Sequence, residues 1–114
     1  VSNGLKLVYC LCINANLYIE NKVPPIDLMI KHQCTVVLGT DSYSSNWQLS
    51  IAKEIGSIRK HFPHIPEESI LQWATRNGAA ALGWGDELGR FSPGTLPGLV
   101  QMNIDFDKSA KLVF

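Results

Sequence analysis

An excess of charge of either sign is missing from this chain of 114 residues: ten Lys and Arg offset ten Asp and Glu, the formal net charge is zero, and no basic cluster stands out. The electrostatic footprint of a nucleic-acid binder is therefore absent, and nucleic acid is excluded as an expected partner. Long apolar runs are missing as well. The longest candidate, Leu5 to Cys12, has the length of a strand and lacks the flanks of a signal peptide. It falls far short of the ~20 residues that cross a bilayer, so no membrane partner is expected. Cysteine is sparse and odd in number: Cys10, Cys12 and Cys34, each in or beside an apolar run. Cys10-x-Cys12 puts two thiols on one face of a strand, too awkward for a mutual disulfide. All three are read as buried, reduced thiols of a cytoplasmic protein rather than as a metal pair. Internal repeats and low-complexity segments are missing, which removes solenoid and linker readings.

What is present is globular material. Hydrophobic residues make up 46% and charged residues 18% of the chain, enough for one small domain with a modest core. The chain enters its first strand directly from Val1 and a Ser2-Asn3-Gly4 turn, and is read as a piece of a larger protein. Residues 5–12 are apolar on both faces apart from Lys6, the pattern of a strand covered on both sides. Asn14 to Asn21 reads as a loop with a short apolar core, Leu17-Tyr18-Ile19. Pro24-Pro25 punctuates the chain, and Pro25 with Asp27 suits the first turn of a helix over residues 25–32. Residues 35–40 form the second strand. Strand, helix, strand over about thirty residues is a βαβ unit, which implies parallel pairing and a right-handed crossover.

The second strand ends on Asp41, followed by the polar run Ser42-Tyr43-Ser44-Ser45-Asn46. A buried strand that delivers a carboxylate to its C-terminal tip is how parallel α/β proteins place a catalytic or metal-binding group. Asn46 is an N-cap candidate for a helix over residues 47–61, in which Ile51, Ile55, Ile58 and Phe62 give a core stripe. Pro66, Glu67 and Glu68 open a further helix over residues 66–76, with a break at Asn77-Gly78 and a short turn of small side chains over residues 79–82. Leu99 to Met102 reads as a short strand, residues 105–111 as polar, and Leu112-Val113-Phe114 as an apolar end.

Three segments, in order, carry a family resemblance: Cys12-Ile13-Asn14-Ala15-Asn16-Leu17-Tyr18-Ile19; Val37-Leu38-Gly39-Thr40-Asp41-Ser42 with Ser45-Asn46; and Glu67-Glu68 through Trp73-Ala74-Thr75-Arg76-Asn77-Gly78-Ala79-Ala80-Ala81-Leu82-Gly83. Gly89, Gly94 and Pro97-Gly98-Leu99-Val100 follow. The chain resembles the C-terminal part of the amidohydrolase superfamily, in its branch of chlorohydrolases and cyclic-amidine deaminases. The first segment is similar to that branch's Cys-Pro-x-Ser-Asn stretch after the seventh barrel strand, with Ile13 for the usual Pro and Ala15 for the usual Ser. These departures point to a reshaped loop. The second is similar to the eighth-strand motif, the third to the helical segment beyond the barrel.

The resemblance implies an α/β fold: the last two βα units of a metal-dependent hydrolase (β/α)8 TIM barrel, the C-terminal helices and the start of the flanking small β domain. Residues 1–83 would be barrel-derived and 84–114 would enter the β domain. It implies one divalent metal, zinc or iron, in the intact enzyme. The ligands would be a His-x-His pair after the first strand, histidines from the fifth and sixth, and an Asp from the eighth, which lands on Asp41. The chain contains no His-x-His pair, so this piece alone is expected to hold no metal and to be inactive. The intact protein is expected to hydrolyse a C–N or C–Cl bond on a heterocyclic small molecule, with Asp41 as ligand and proton shuttle. Asn16, Ser42 and Ser45 are the candidate substrate contacts, although each also reads as a loop-ordering group. The serines lack partners for a nucleophilic triad. His32, His61 and His64 sit at helix ends, not strand tips, and are not read as ligands. Trp47, Trp73 and Trp84 are read as packing groups. Expected partners are the substrate, the rest of the barrel and further copies of the chain, since a partial barrel leaves strand edges and apolar faces open. The rival reading is a non-catalytic α/β domain used in self-association or protein binding.

Overall fold

The computed structural model describes residues 5–105 and 108–112. The expected opening turn at Ser2-Asn3-Gly4 and the terminal Val113-Phe114 lie outside the described residues. Strand β1 (Val8–Leu11) and strand β2 (Thr35–Leu38) pair in parallel, in a register running from Val8↔Thr35 to Leu11↔Leu38. One further bond, Gly39 N–H to the Leu11 carbonyl at 2.9 Å, carries the pairing to the strand tip. Both strands are shorter than the apolar runs that announce them. Leu5, Leu7 and Val8 are exposed, because cover comes mainly from one side. On the helix side Leu11 and Val36 join Ile13, Ile55, Ile58 and Ile70 in one apolar cluster. On the other side Val8 and Cys10 are open and Val37 is buried. The expectation of three buried thiols is corrected: all are free, but Cys10 is exposed and Cys12 and Cys34 are only partly covered.

The segment expected as a loop after β1 is instead helix α1 (Ile13–Glu20), whose buried residues are Ile13, Asn14 and Ala15. Asparagine reads as a loop former because its side chain competes for backbone groups. Here Asn14 is engaged by side chains of another helix, so that competition is removed. The helix ends on Asn21, whose left-handed φ of 53° and N–H bond to the Leu17 carbonyl close the last turn. Helix α2 (Ile26–Lys31) follows Pro25 with Asp27 in its first turn, within the expected range.

Helix α3 (Ile51–His61) starts later than expected, and its N-cap is Ser50, not Asn46. Ser50 is extended (φ −124°, ψ 117°) and its side chain accepts from the Lys53 N–H at 3.4 Å. Ser50→Ala is expected to lower stability by about 1 kcal/mol, read as a shift in denaturant midpoint at unchanged slope. The stripe of α3 is Ala52, Ile55 and Ile58, with Phe62 just beyond; Ile51 lies at its exposed margin. Helices α4 (Glu67–Ala74) and α5 (Arg76–Ala81) are separated at Thr75, not at Asn77-Gly78. The Thr75 hydroxyl donates to the Leu71 carbonyl at 2.7 Å, and Asn77 Nδ2 donates to the Val36 carbonyl at 2.9 Å, fastening α5 to β2. Small side chains on α5 do admit close packing. A Cβ on Gly89 (φ +84°) would lie 2.8 Å from both the Ala79 Cβ and the Thr75 carbonyl oxygen. Of the tryptophans, Trp73 is buried, whereas Trp47 and Trp84 are exposed. Trp47 stands edge-on to Tyr18 at 5.1 Å between ring centroids.

Strand β3 (Leu99–Met102) appears where expected. It pairs antiparallel with β4 (Ser109–Leu112), which the polar composition of residues 105–111 concealed. Among the described residues no helix is long and apolar enough to cross a membrane.

Candidate active site at the C-terminal end of the parallel strands

Parallel strands converge their C-terminal ends on one edge of the sheet, and here that edge carries the chain from Leu11 into Cys12 and from Leu38 into Asp41. Asp41 is exposed and adopts a left-handed φ of 58°, a conformation that Asp tolerates better than most residues. Its Oδ1 accepts the Ser42 N–H at 2.9 Å, which orients the carboxylate beyond the strand tip. The three serines that follow bond chiefly to one another. The Ser42 hydroxyl lies 2.7 Å from that of Ser44 and 3.1 Å from that of Ser45, and the Ser45 N–H donates to the Ser42 carbonyl at 3.1 Å. Ser42 and Ser45 therefore build the turn that presents Asp41. Asn16 sits half-buried in the first turn of α1, its N–H bonded to the Cys12 carbonyl at 3.0 Å.

Cys12 is the neighbour of Asp41 across the strand ends. Burial, together with the adjacent Cys10 thiol and the Glu54 charge, pushes the Cys12 thiol up to about 11, against the opposing effect of the Asp41 N–H directed at its sulfur. An unfolded thiol titrates near 8.5. The stability that this thiol supplies is thus fully present below that value and is lost as pH rises toward about 11. The denaturant midpoint is expected to fall more steeply between pH 8 and pH 10.5 in the parent chain than in Cys12→Ala; equal slopes would remove the thiol from the account.

The residue that sequence reasoning missed is Glu54. Its side chain is fully buried (0% exposed), on the core side of α3. The carboxylate accepts the Asn14 N–H at 3.2 Å, the Asn14 side-chain amide, and the Gln48 Nε2 at 3.0 Å, with Asn46 Nδ2 at 3.5 Å. Asn14 Oδ1 in turn accepts from the Ser57 hydroxyl at 2.6 Å. Asn46, expected as a helix cap, instead spans from this carboxylate to the Thr40 carbonyl at 2.8 Å, while its Oδ1 accepts the Gln48 N–H. Glu54 therefore ties α1 to the residue preceding Asp41. A signal was available: Glu54 stands four residues before Ile58, on the helix face that the apolar stripe occupies. A shallow depression of about 430 Å³ beside Asn14, Gln48 and Lys53 borders this network and does not reach Asp41.

No group of three or more His, Cys, Asp or Glu side chains that could hold a metal occurs among the described residues. His61 Nδ1 bonds the Ser57 carbonyl at 2.9 Å, His64 pairs with Asp27, and His32 ends α2. The site defined by the fold is one oriented, solvent-facing carboxylate at the tip of the second of two parallel strands, backed by a buried polar network.

That arrangement is of the parallel α/β class with its functional edge at the strand C-termini. The sequence model of the Amidohydrolase family matches residues 2–114, and the chain belongs to this family. It is 34% identical over 99 residues to a 5-methylthioadenosine/S-adenosylhomocysteine deaminase of Syntrophomonas wolfei, covering 79% of this chain and 22% of that protein. It is 32% identical over 75 residues to an imidazolonepropionase of Hahella chejuensis, covering 66% and 19%. Among solved structures it resembles an adenosine deaminase from Xanthomonas campestris with bound zinc, with a TM-score of 0.69, 26% identity, and 82% of this chain matched to 23% of that one. The chain thus spans less than a quarter of the length of these relatives.

Proposed function

We propose that this chain is the closing segment of a zinc-dependent deaminase, with Asp41 as the metal-binding carboxylate at the last strand of a (β/α)8 barrel. Residues 1–83 would be its final two βα units, and 84–114 its entry into a flanking β domain. The observation that carries the reading is the position of Asp41: exposed, oriented by the Ser42 N–H, and set at the C-terminal tip of a parallel strand in a family-matched chain. Catalytic groups of such barrels stand at that end. A carboxylate oxygen suits zinc or ferrous iron, and zinc is favoured because the adenosine deaminase that the chain resembles binds it. When bound, the metal supplies Lewis acidity and lowers the pKa of water from about 15.7 toward ~7.

Within that site Asp41 takes a proton at its carboxylate and returns it to the departing nitrogen, which requires the carboxylate to be ionised and fixed before the substrate arrives. The Ser42 N–H supplies the fixing. The deaminase names of the relatives favour a C–N bond on a purine-like ring over a C–Cl bond. Family membership favours the enzyme over the non-catalytic module. Asn16, Ser42 and Ser45 remain the substrate-contact candidates, with the two serines first serving the turn. One carboxylate does not hold a catalytic metal, so the 114-residue segment by itself would be inactive and would associate through its open sheet face. A cytoplasmic setting goes with its three free thiols. The test is Asp41→Asn in a full-length polypeptide that carries this segment, assayed for ammonia release from methylthioadenosine and adenosine with zinc content measured in parallel. Activity within tenfold of the parent would remove Asp41 from the mechanism.

A further inference from the structure

The left-handed φ of 58° at Asp41 is uncommon for a residue other than glycine, and such a backbone persists only where its surroundings hold it. That angle is a rotation about the Asp41 N–Cα bond, and the peptide plane that carries this nitrogen also carries the Thr40 carbonyl. The carbonyl accepts from Asn46 Nδ2 at 2.8 Å. The N–H on the other edge of the same plane points at the Cys12 sulfur, a weak acceptor. Asn46 therefore supplies the stronger of the two bonds that stop the plane from turning. Asn46 itself can face only one way. Its side chain is buried (2% exposed). On its nitrogen side lie two acceptors, the Thr40 carbonyl and the Glu54 carboxylate at 3.5 Å. On its oxygen side lie two donors, the Gln48 N–H and Gln48 Nε2, both at 3.3 Å. A reversed amide would set oxygen against acceptors and nitrogen against donors, leaving buried groups without partners. Glu54 is fixed in turn by the Asn14 N–H of α1 and by Gln48 Nε2. The strap thus runs from the buried face of α3, across the loop of residues 41–46, to the peptide just ahead of Asp41.

We propose that Asn46 is a positioning residue for the reaction: through the Thr40 carbonyl it sets the direction in which the Asp41 carboxylate leaves the strand tip. This role rests on the reading of Asp41 as the metal-binding carboxylate. Asn46 acts through backbone and touches no substrate. Two devices work in series: Asn46 places the Asp41 backbone, and the Ser42 N–H then fixes the rotation of the carboxylate. Without Asn46 the Thr40–Asp41 peptide is free to turn and the carboxylate moves from its place, and a misplacement of about 1 Å costs on the order of 100-fold in rate. Loss of a group that orients a metal ligand costs about 10- to 100-fold in metal affinity or activity.

The experiment uses a full-length polypeptide that carries this segment. Asn46→Ala, Ser50→Ala and Asp41→Asn are compared with the parent for kcat, KM for methylthioadenosine, zinc affinity by chelator competition, and thermal midpoint. Asn46→Ala is expected to lower kcat and weaken zinc binding at least about tenfold each, with KM within about threefold of the parent. Ser50→Ala removes the cap of α3 and no bond of the strap. It is expected to lower the thermal midpoint while keeping kcat and zinc affinity, which separates positioning from general loosening of the fold. Parent-like kcat and zinc affinity in Asn46→Ala, or equal losses of both in Ser50→Ala, would overturn the role while an inactive Asp41→Asn left the reading of Asp41 standing. A fully active Asp41→Asn would instead overturn that reading, and the role with it. If Asn46→Ala does not fold, Gln48→Met at a half-buried position carries the test. It strips one donor from Asn46 Oδ1 and is expected to lower kcat and zinc affinity by about threefold or more; parent-like values there would overturn the role.

Discussion

Asp41→Ala in a full-length polypeptide bearing this segment is expected to lower deamination by about 10²- to 10⁴-fold, the range associated with a lost general acid–base group. Asp41 stands at the tip of β2, its Oδ1 is held by the Ser42 N–H at 2.9 Å, and the serine turn behind it is closed by its own hydrogen bonds. The bonds among Ser42, Ser44 and Ser45 do not pass through the Asp41 side chain, but alanine loses the Ser42 N–H bond and sits less easily at the left-handed φ of 58°, so part of its effect falls on the turn. Asp41→Asn separates the two roles assigned to the carboxylate. It preserves an acceptor oxygen for Ser42 but cannot take up a proton, so kcat should fall while the thermal midpoint stays near that of the parent. A fall in stability matching the fall in activity would show instead that Asp41 acts as a turn residue.

Glu54→Ala is expected to be the most damaging single change for the fold, at about 3 kcal/mol. Truncation strips the buried Asn14 N–H of its acceptor and leaves the Asn14 and Gln48 side-chain amides only their longer bonds, to the Lys53 carbonyl at 3.4 Å and to Asn46 Oδ1 at 3.3 Å, and a stranded buried donor costs about 1–3 kcal/mol. For a chain of this size that is a large fraction of total stability. Glu54→Gln should cost less, since one acceptor oxygen survives. Hydrogen exchange gives the spatial readout. The amides of residues 40–50 and of α1 should lose protection together in Glu54→Gln, whereas those of the separate β3–β4 hairpin should not. Uniform loss over the whole chain would mean that the network holds no particular loop.

How much of this was legible beforehand follows from the range over which each signal acts. The βαβ unit was readable because apolar runs and a proline-marked helix start are local patterns, and parallel pairing follows from chain connectivity. Asp41 at the strand tip was readable for the same reason. Helix α1 was not: the chain around Asn14 and Asn16 has the composition of a loop, and its helicity depends on Asn14 finding Glu54 and Ser57, forty and more residues away. Asn46 was assigned to the wrong partner because a cap and a loop strap look alike in sequence. Strand β4 was hidden because an exposed two-stranded hairpin needs no apolar periodicity.

By itself, then, the sequence determined the types of β1, α2, β2, α3, α4 and β3, the parallel order and the single carboxylate, since these rest on spacing, connectivity and residue chemistry. Only the tertiary structure decided that Glu54 is buried and that Asn14 and Asn46 hang from it. The physical reason is that burial and partner choice arise when distant segments pack, and the desolvation that makes a carboxylate structural has no local signature in the chain.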